Sequence, residues 1–145
     1  MDARMAIVGT VALGLGAGVA ALALSPLAVA PSRVCNQPSQ IMSRLELLFG
    51  MKKPDGGEVA EEEWRTFLDA EVTPRFPDGL TVLTGYGQWR NQSGVVGKET
   101  SRVLLIWLKS NPENNAKIEA IRTAWKSRYK QESVMRIDDT SCVSF

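Results

Sequence analysis

The chain has 145 residues, 44% hydrophobic and 23% charged, with a formal net charge of +1. That fits one globular domain and gives no electrostatic footprint for nucleic acid. There is no histidine, so the most frequent metal ligand and the most frequent general base near neutral pH are both missing. Neither a metal site nor a Ser-His site is expected.

Residues 5–30 read MAIVGTVALGLGAGVAALALSPLAVA without a charge, behind a short leader carrying Arg4. A positive end, an apolar core and the Ala28-Val29-Ala30 ending predict a hydrophobic helix that serves as a secretory signal over 1–30. The alternative is an uncleaved single-pass anchor through residues 5–24, about long enough to cross a bilayer at ~20 residues. The expected compartment is the periplasm or the exterior, or the membrane if the anchor stays. Residues 31–40 (PSRVCNQPSQ) read as a polar linker, and 41–145 as the folded domain.

Ser43, Leu45, Leu47, Phe49 and Met51 alternate with more polar neighbours and predict a strand over 42–51. The cluster Lys53-Pro54-Asp55-Gly56-Gly57 is a turn. Ala60, Trp64, Phe67, Leu68 and Val72 then recur at helical spacing, with Glu61, Glu62 and Glu63 in the first turn, where negative charge suits the helix dipole. Pro74 limits this helix, because the residue before a proline is biased away from the helical region.

A turn at Phe76–Gly79 launches a second strand over Leu80–Arg90. Asn91-Gln92-Ser93-Gly94 predicts a hairpin connection, and a third strand is centred on Arg102–Lys109. Asn111-Pro112-Glu113 is a helix start: cap, proline at the first position, acid in the first turn. Ile118, Ile121, Trp125 and Tyr129 continue it to about Lys130. Ser133–Asp138 predicts a fourth strand that resumes after an Asp-Asp-Thr kink through Cys142.

The order β-α-β-β-α-β predicts an α+β, ferredoxin-like fold: a four-stranded antiparallel sheet in the order 4-1-3-2 with both helices on one face. First and fourth strands are then antiparallel neighbours. Cys35 precedes the one and Cys142 ends the other, so a Cys35–Cys142 disulfide is geometrically permitted.

The third strand is apolar on both faces: Val103, Leu105 and Trp107 on one, Leu104, Ile106 and Leu108 on the other. Helices cover one face only, so something else is expected to cover the second, with a homodimer the leading candidate and an apolar ligand the other. A polar set gathers at Arg75, Asp78, Tyr86, Gln88, Trp89, Arg90 and Glu99. Tyr86, Gln88 and Arg90 share a face of their strand, and Glu99 is placed across the hairpin, within reach of Arg90. Such a set can hold a carboxylate or another polar ligand, or it can simply fix the hairpin. Gly85-Tyr86-Gly87 lacks the Lys and helix start of a phosphate loop and is read as a bulge, so no cofactor is expected.

The segments VTPRFPDGLTVLTGYGQWRNQSGVVGKETSRVLLIW (72–107), ELLFG (46–50) and QESVMRIDDTSCVSF (131–145) resemble the bacterial domain of unknown function 3574 family. The resemblance implies an exported small α+β domain and marks Arg75, Asp78, Gln88, Trp89, Arg90, Glu99 and Glu132 as family-type positions. It implies no activity. The function expected from the residues is an exported, self-associating binding or structural module. The alternatives are an enzyme without a cofactor, using Arg75, Arg90 and Glu99, and a membrane-anchored accessory subunit.

Overall fold

The computed structural model describes residues 34–145; the expected leader and most of the linker lie outside them. The elements follow the order β1 (Gln40–Gly50), α1 (Glu61–Phe67), β2 (Thr81–Arg90), β3 (Val96–Leu108), α2 (Pro112–Tyr129) and β4 (Met135–Val143). The strands form one sheet in the order β2-β3-β1-β4, with every neighbouring pair antiparallel. This is the ferredoxin-like arrangement read from the sequence. Among the described residues no helix is long and apolar enough to cross a membrane.

Strand alternation sends Leu45, Leu47 and Phe49 of β1 and Leu104 and Ile106 of β3 to the helix side, where they are buried. Trp64 and Phe67 of α1 and Ile118, Ile121 and Trp125 of α2 meet them there. Phe49 is the hub. Its ring centroid lies 5.3 Å from Trp64, 6.0 Å from Phe67 and 5.0 Å from Trp125. The tilted and edge-on geometries are those that aromatic quadrupoles favour.

The helix ends follow their local chemistry. Asn111 caps α2, its Oδ1 accepting from Asn114 N at 2.7 Å, and Pro112 follows as the first helical residue. Lys130 closes the same helix in the left-handed region, with φ 56°. In α1 the Glu63 carboxylate reaches back to Ala60 N at 2.9 Å.

The predicted first helix changes pitch part of the way along. After Phe67 it widens into a π turn over Leu68–Val72, with Thr73 N bonded to Leu68 O at 2.9 Å. Thr73 keeps helical angles despite the following proline. What ends the element is the N–H that Pro74 lacks, and the chain closes with Arg75 N and Phe76 N both donating to Val72 O.

Three further details differ from the sequence reading. The third strand is longer, starting at Val96. The fourth has no kink: Asp138, Asp139 and Thr140 pair in register with Leu45, Arg44 and Ser43 of β1. Acidic residues are well tolerated on such an edge strand. Gly85 and Gly87 form no bulge, since they pair in unbroken register with Ser101 and Glu99.

Cys35 and Cys142 form the disulfide, with Cα atoms 5.5 Å apart across 107 residues of sequence. Cys142 pairs with Ile41 in the ladder, which holds the end of β4 beside the start of β1.

Candidate binding site at the open end of the sheet

The sheet face away from the helices carries a continuous apolar row. In the register of the strands, Leu83 of β2 stands beside Val103 of β3, Val103 beside Leu48 of β1, and Leu48 beside Met135 of β4. Leu83 is 55% exposed and Met135 48%. The next row runs Thr81, Leu105, Glu46 and Ile137. Beyond it lie Trp107, Arg44 and Asp139, with Arg44 ion-paired to Glu46.

On the other side of the apolar row the face becomes hollow, because side chains are missing there. Gly85, Ser101 and Gly50 stand side by side across β2, β3 and β1, and Gly87 pairs with Glu99. The hollow opens into a cavity of about 440 Å³ lined by Leu48, Gly50, Lys52, Trp89, Glu99, Glu132 and Met135, among others.

Glu99 forms part of its floor. Its carboxylate lies over Gly50, where a Cβ would stand 2.6 Å from Oε2 and 2.7 Å from Oε1. Any side chain at position 50 would displace it. Oε2 accepts from Lys52 N at 2.9 Å. The carbonyl of Lys52 accepts from Gln131 Nε2 at 2.6 Å, which ties the loop after β1 to the loop before β4. Glu132 also lines the cavity, its Oε2 accepting from Gln92 N at 3.3 Å.

Lys53 also lines the hollow, but its ammonium is engaged by both oxygens of Glu63, at 3.0 and 2.9 Å. The Glu63 hydrogen bond raises the lysine above its ordinary value. That same bond from Lys53, with the Ala60 amide, holds the Glu63 carboxyl below its own. A wider hollow of about 760 Å³ lies on the other side of this pair, bordered by Tyr129 and Arg128. The Tyr129 hydroxyl donates to Glu63 O at 3.1 Å, and burial pushes that phenol up.

Of the residues singled out in the sequence, the structure brings Gln88, Trp89, Glu99 and Glu132 to one cavity and leaves Arg75, Asp78, Tyr86 and Arg90 out of its lining. Arg75 is occupied at the end of α1, donating to Glu71 O at 2.5 Å and to Glu71 Oε2 at 3.0 Å. Arg128 binds the other oxygen of that carboxylate. Asp78 is exposed in the turn before β2, and Tyr86 is 73% exposed on the helix-side face of the edge strand.

The expected approach of Arg90 to Glu99 is not seen. Arg90 pairs with Val96 and Glu99 with Gly87, so the two side chains leave opposite faces of the sheet. The reason is the hairpin. β2 ends at Arg90 and β3 begins at Val96, its register partner, so the connection spans five residues rather than four. One extra residue shifts the register by one and exchanges the faces. The same shift puts Trp89, not its neighbours, on the face of Glu99.

The residues the sequence reading missed are Gly50, Lys52, Ser101 and Gln131. Gly50 carried a readable signal, a glycine closing a strand whose other positions are side-chain rich. Lys52 and Gln131 carried none, since each contributes through its backbone or through a contact between distant loops.

Comparison with known proteins adds a family and a fold. The family model described as "Protein of unknown function (DUF3574)" matches residues 44–145. No curated protein sequence matches. Among solved structures, a phage SAM lyase in complex with S-methyl-5'-thioadenosine is similar, with a TM-score of 0.58 and 16% identity over 72% of this chain and 90% of that one. The same lyase in its apo state gives 0.56 and 14% over 78% and 97%. CutA from Synechococcus elongatus gives 0.45 and 14% over 71% and 83%. At these identities the lyase likeness speaks to the fold alone.

Proposed function

Because the chain belongs to the DUF3574 family, matched over residues 44–145, its role has to be read from its own surface, and we propose that it is an exported module that self-associates through the open face of its sheet. The observation that carries this reading is the apolar row Leu83, Val103, Leu48 and Met135, which crosses all four strands on the side that no helix of the described residues covers. An uncovered apolar surface of this extent is costly in water.

The occupant we assign is a second copy of this chain. Four strands at ~4.8 Å spacing and nine residues at ~3.3 Å give a face of roughly 600 Å². That approaches the ~800 Å² per partner of a stable interface. Export is supported by the Cys35–Cys142 disulfide, which fits an oxidising compartment, and by the apolar leader over 5–30. Light scattering on the full chain tests the self-association. A mass of two or more copies is expected, and a strict monomer at all concentrations overturns the reading.

A second reading, an enzyme without a bound cofactor, keeps Glu99 as its acid–base group. It draws support from the cavity over Gly50 and from sharing a fold with a lyase solved with S-methyl-5'-thioadenosine. Its original anion holders do not serve it, since Arg75 is held by Glu71 and Arg90 lies on the other face. Incubating the protein with S-adenosylmethionine and following products by mass spectrometry tests this reading; unchanged substrate counts against it.

A further inference from the structure

We propose that the hollow over Gly50 is a binding site for an organic ammonium ion carried on an apolar or aromatic body. The volume of about 440 Å³ falls in the range of small-molecule clefts, roughly 300–1,000 Å³. The walls divide the ligand's chemistry. Leu48 and Met135 supply an apolar side, and Trp89, 44% exposed on the same face, supplies an indole ring. Such a ring attracts both flat apolar groups and cations.

The polar floor selects charge. An ionised carboxylate can only accept hydrogen bonds. Glu99 Oε2 already takes one from Lys52 N, while among the described residues no donor meets Oε1. Glu132 brings a second carboxylate to the same lining. Lys53, which also lines the hollow, is paired with Glu63 at 2.9 Å. Lys52 and Lys130 are exposed, and their long stems let the ammonium groups stand out in water. An ammonium donor placed between Glu99 and the Trp89 ring satisfies the open acceptor.

The floor is pre-arranged. Gly50 leaves room for the Glu99 carboxylate, and the Gln131 bond to Lys52 O fixes the loop whose amide holds it. Fixing an acceptor before the ligand arrives spares the ligand that ordering cost. The site is made of one chain's residues. It shares only Leu48 and Met135 with the apolar row and otherwise lies beyond it, toward Gly50, Trp89 and Glu99, so it stays open beside a partner seated on the row and is read by binding rather than by mass.

Titration calorimetry on the full chain with 2-phenylethylammonium, and with phenylacetate as the anion of matching shape, tests the assignment. The ammonium compound is expected to bind and phenylacetate not. Glu99→Gln, which keeps the shape of the side chain, is expected to weaken binding about tenfold, the effect of losing one charge-assisted hydrogen bond. Trp89→Leu weakens it as well. Asp78→Asn, outside the lining, leaves it unchanged, and circular dichroism confirms that the variants fold. Tighter binding of phenylacetate, no binding of either compound, or an affinity indifferent to Glu99→Gln each overturns the proposal.

Discussion

Gly50 and Glu99 are built around one another: the carboxylate of Glu99 occupies the space in which a side chain at position 50 would have to stand, with a Cβ only 2.6 Å from its Oε2. Gly50→Ala therefore expels the carboxylate and breaks its bond from Lys52 N. The expected cost in chemical denaturation is at most about 1 kcal/mol, because the carboxylate is the end of a flexible side chain and its bond from Lys52 N is exposed, so water replaces it. In a Glu99→Ala background the same substitution costs less, because the space is already empty. A double-mutant cycle with no coupling between the two positions contradicts this relationship.

The disulfide closes nearly the whole domain, with Cys35 and Cys142 separated by 107 positions in the sequence. In the chain-entropy account a loop of that size contributes about 4–5 kcal/mol. Reduction, or Cys35→Ser with Cys142→Ser, is expected to lower the urea midpoint by a corresponding amount without altering the sheet's circular dichroism. A midpoint unchanged by reductant would show that the ladder of β1 with β4 holds this edge by itself.

Phe49 touches Trp64, Phe67 and Trp125 at once and is fully buried. Phe49→Ala is expected to cost about 3–5 kcal/mol, as lost contact and as a cavity between sheet and helices. Equilibrium unfolding checks this; a loss below 1 kcal/mol means that the core collapses into the gap.

The Lys53–Glu63 pair gives a pH dependence with two signs. The carboxyl of Glu63 is lowered below its ordinary value of 4.5. Its contribution is present above that value and is lost as acid protonates the group. Lys53 is raised above 10.5, so its contribution is complete below that value and is lost as base removes its proton. Melting temperatures of the protein and of Glu63→Gln should differ near neutral pH and converge below the lowered carboxyl value. A constant difference from pH 7 to pH 3 contradicts the pairing. The effect is small, because both side chains are open to solvent.

Much of this fold is legible in the sequence, and for physical reasons. Period-two alternation from Leu45 to Phe49, helical spacing from Ile118 to Tyr129 and the Asn111-Pro112 start each follow from local geometry. The disulfide follows once β1 and β4 are neighbours. The site was legible only in part, because it depends on register. A hairpin loop of four residues places Glu99 on the face of Gln88 and Arg90, while the five residues observed place it with Trp89. Turn composition alone does not separate these two cases. The π turn was hidden as well, since Phe67, Leu68 and Val72 suit a regular helix equally well.

The central claim is that a second copy covers the open face, and Met135 reports on it directly. Its side chain lies at the end of the apolar row and is 48% exposed in a single copy, so peroxide can reach its sulfur unless the face is covered. Mass-spectrometric oxidation rates for Met135 in the full chain and in Val103→Glu, which places a charge in the middle of the row, give the test. The account predicts slow oxidation in the unaltered protein and a rate several-fold faster in the variant. Equal, fast oxidation in both would mean that the face stands open in solution.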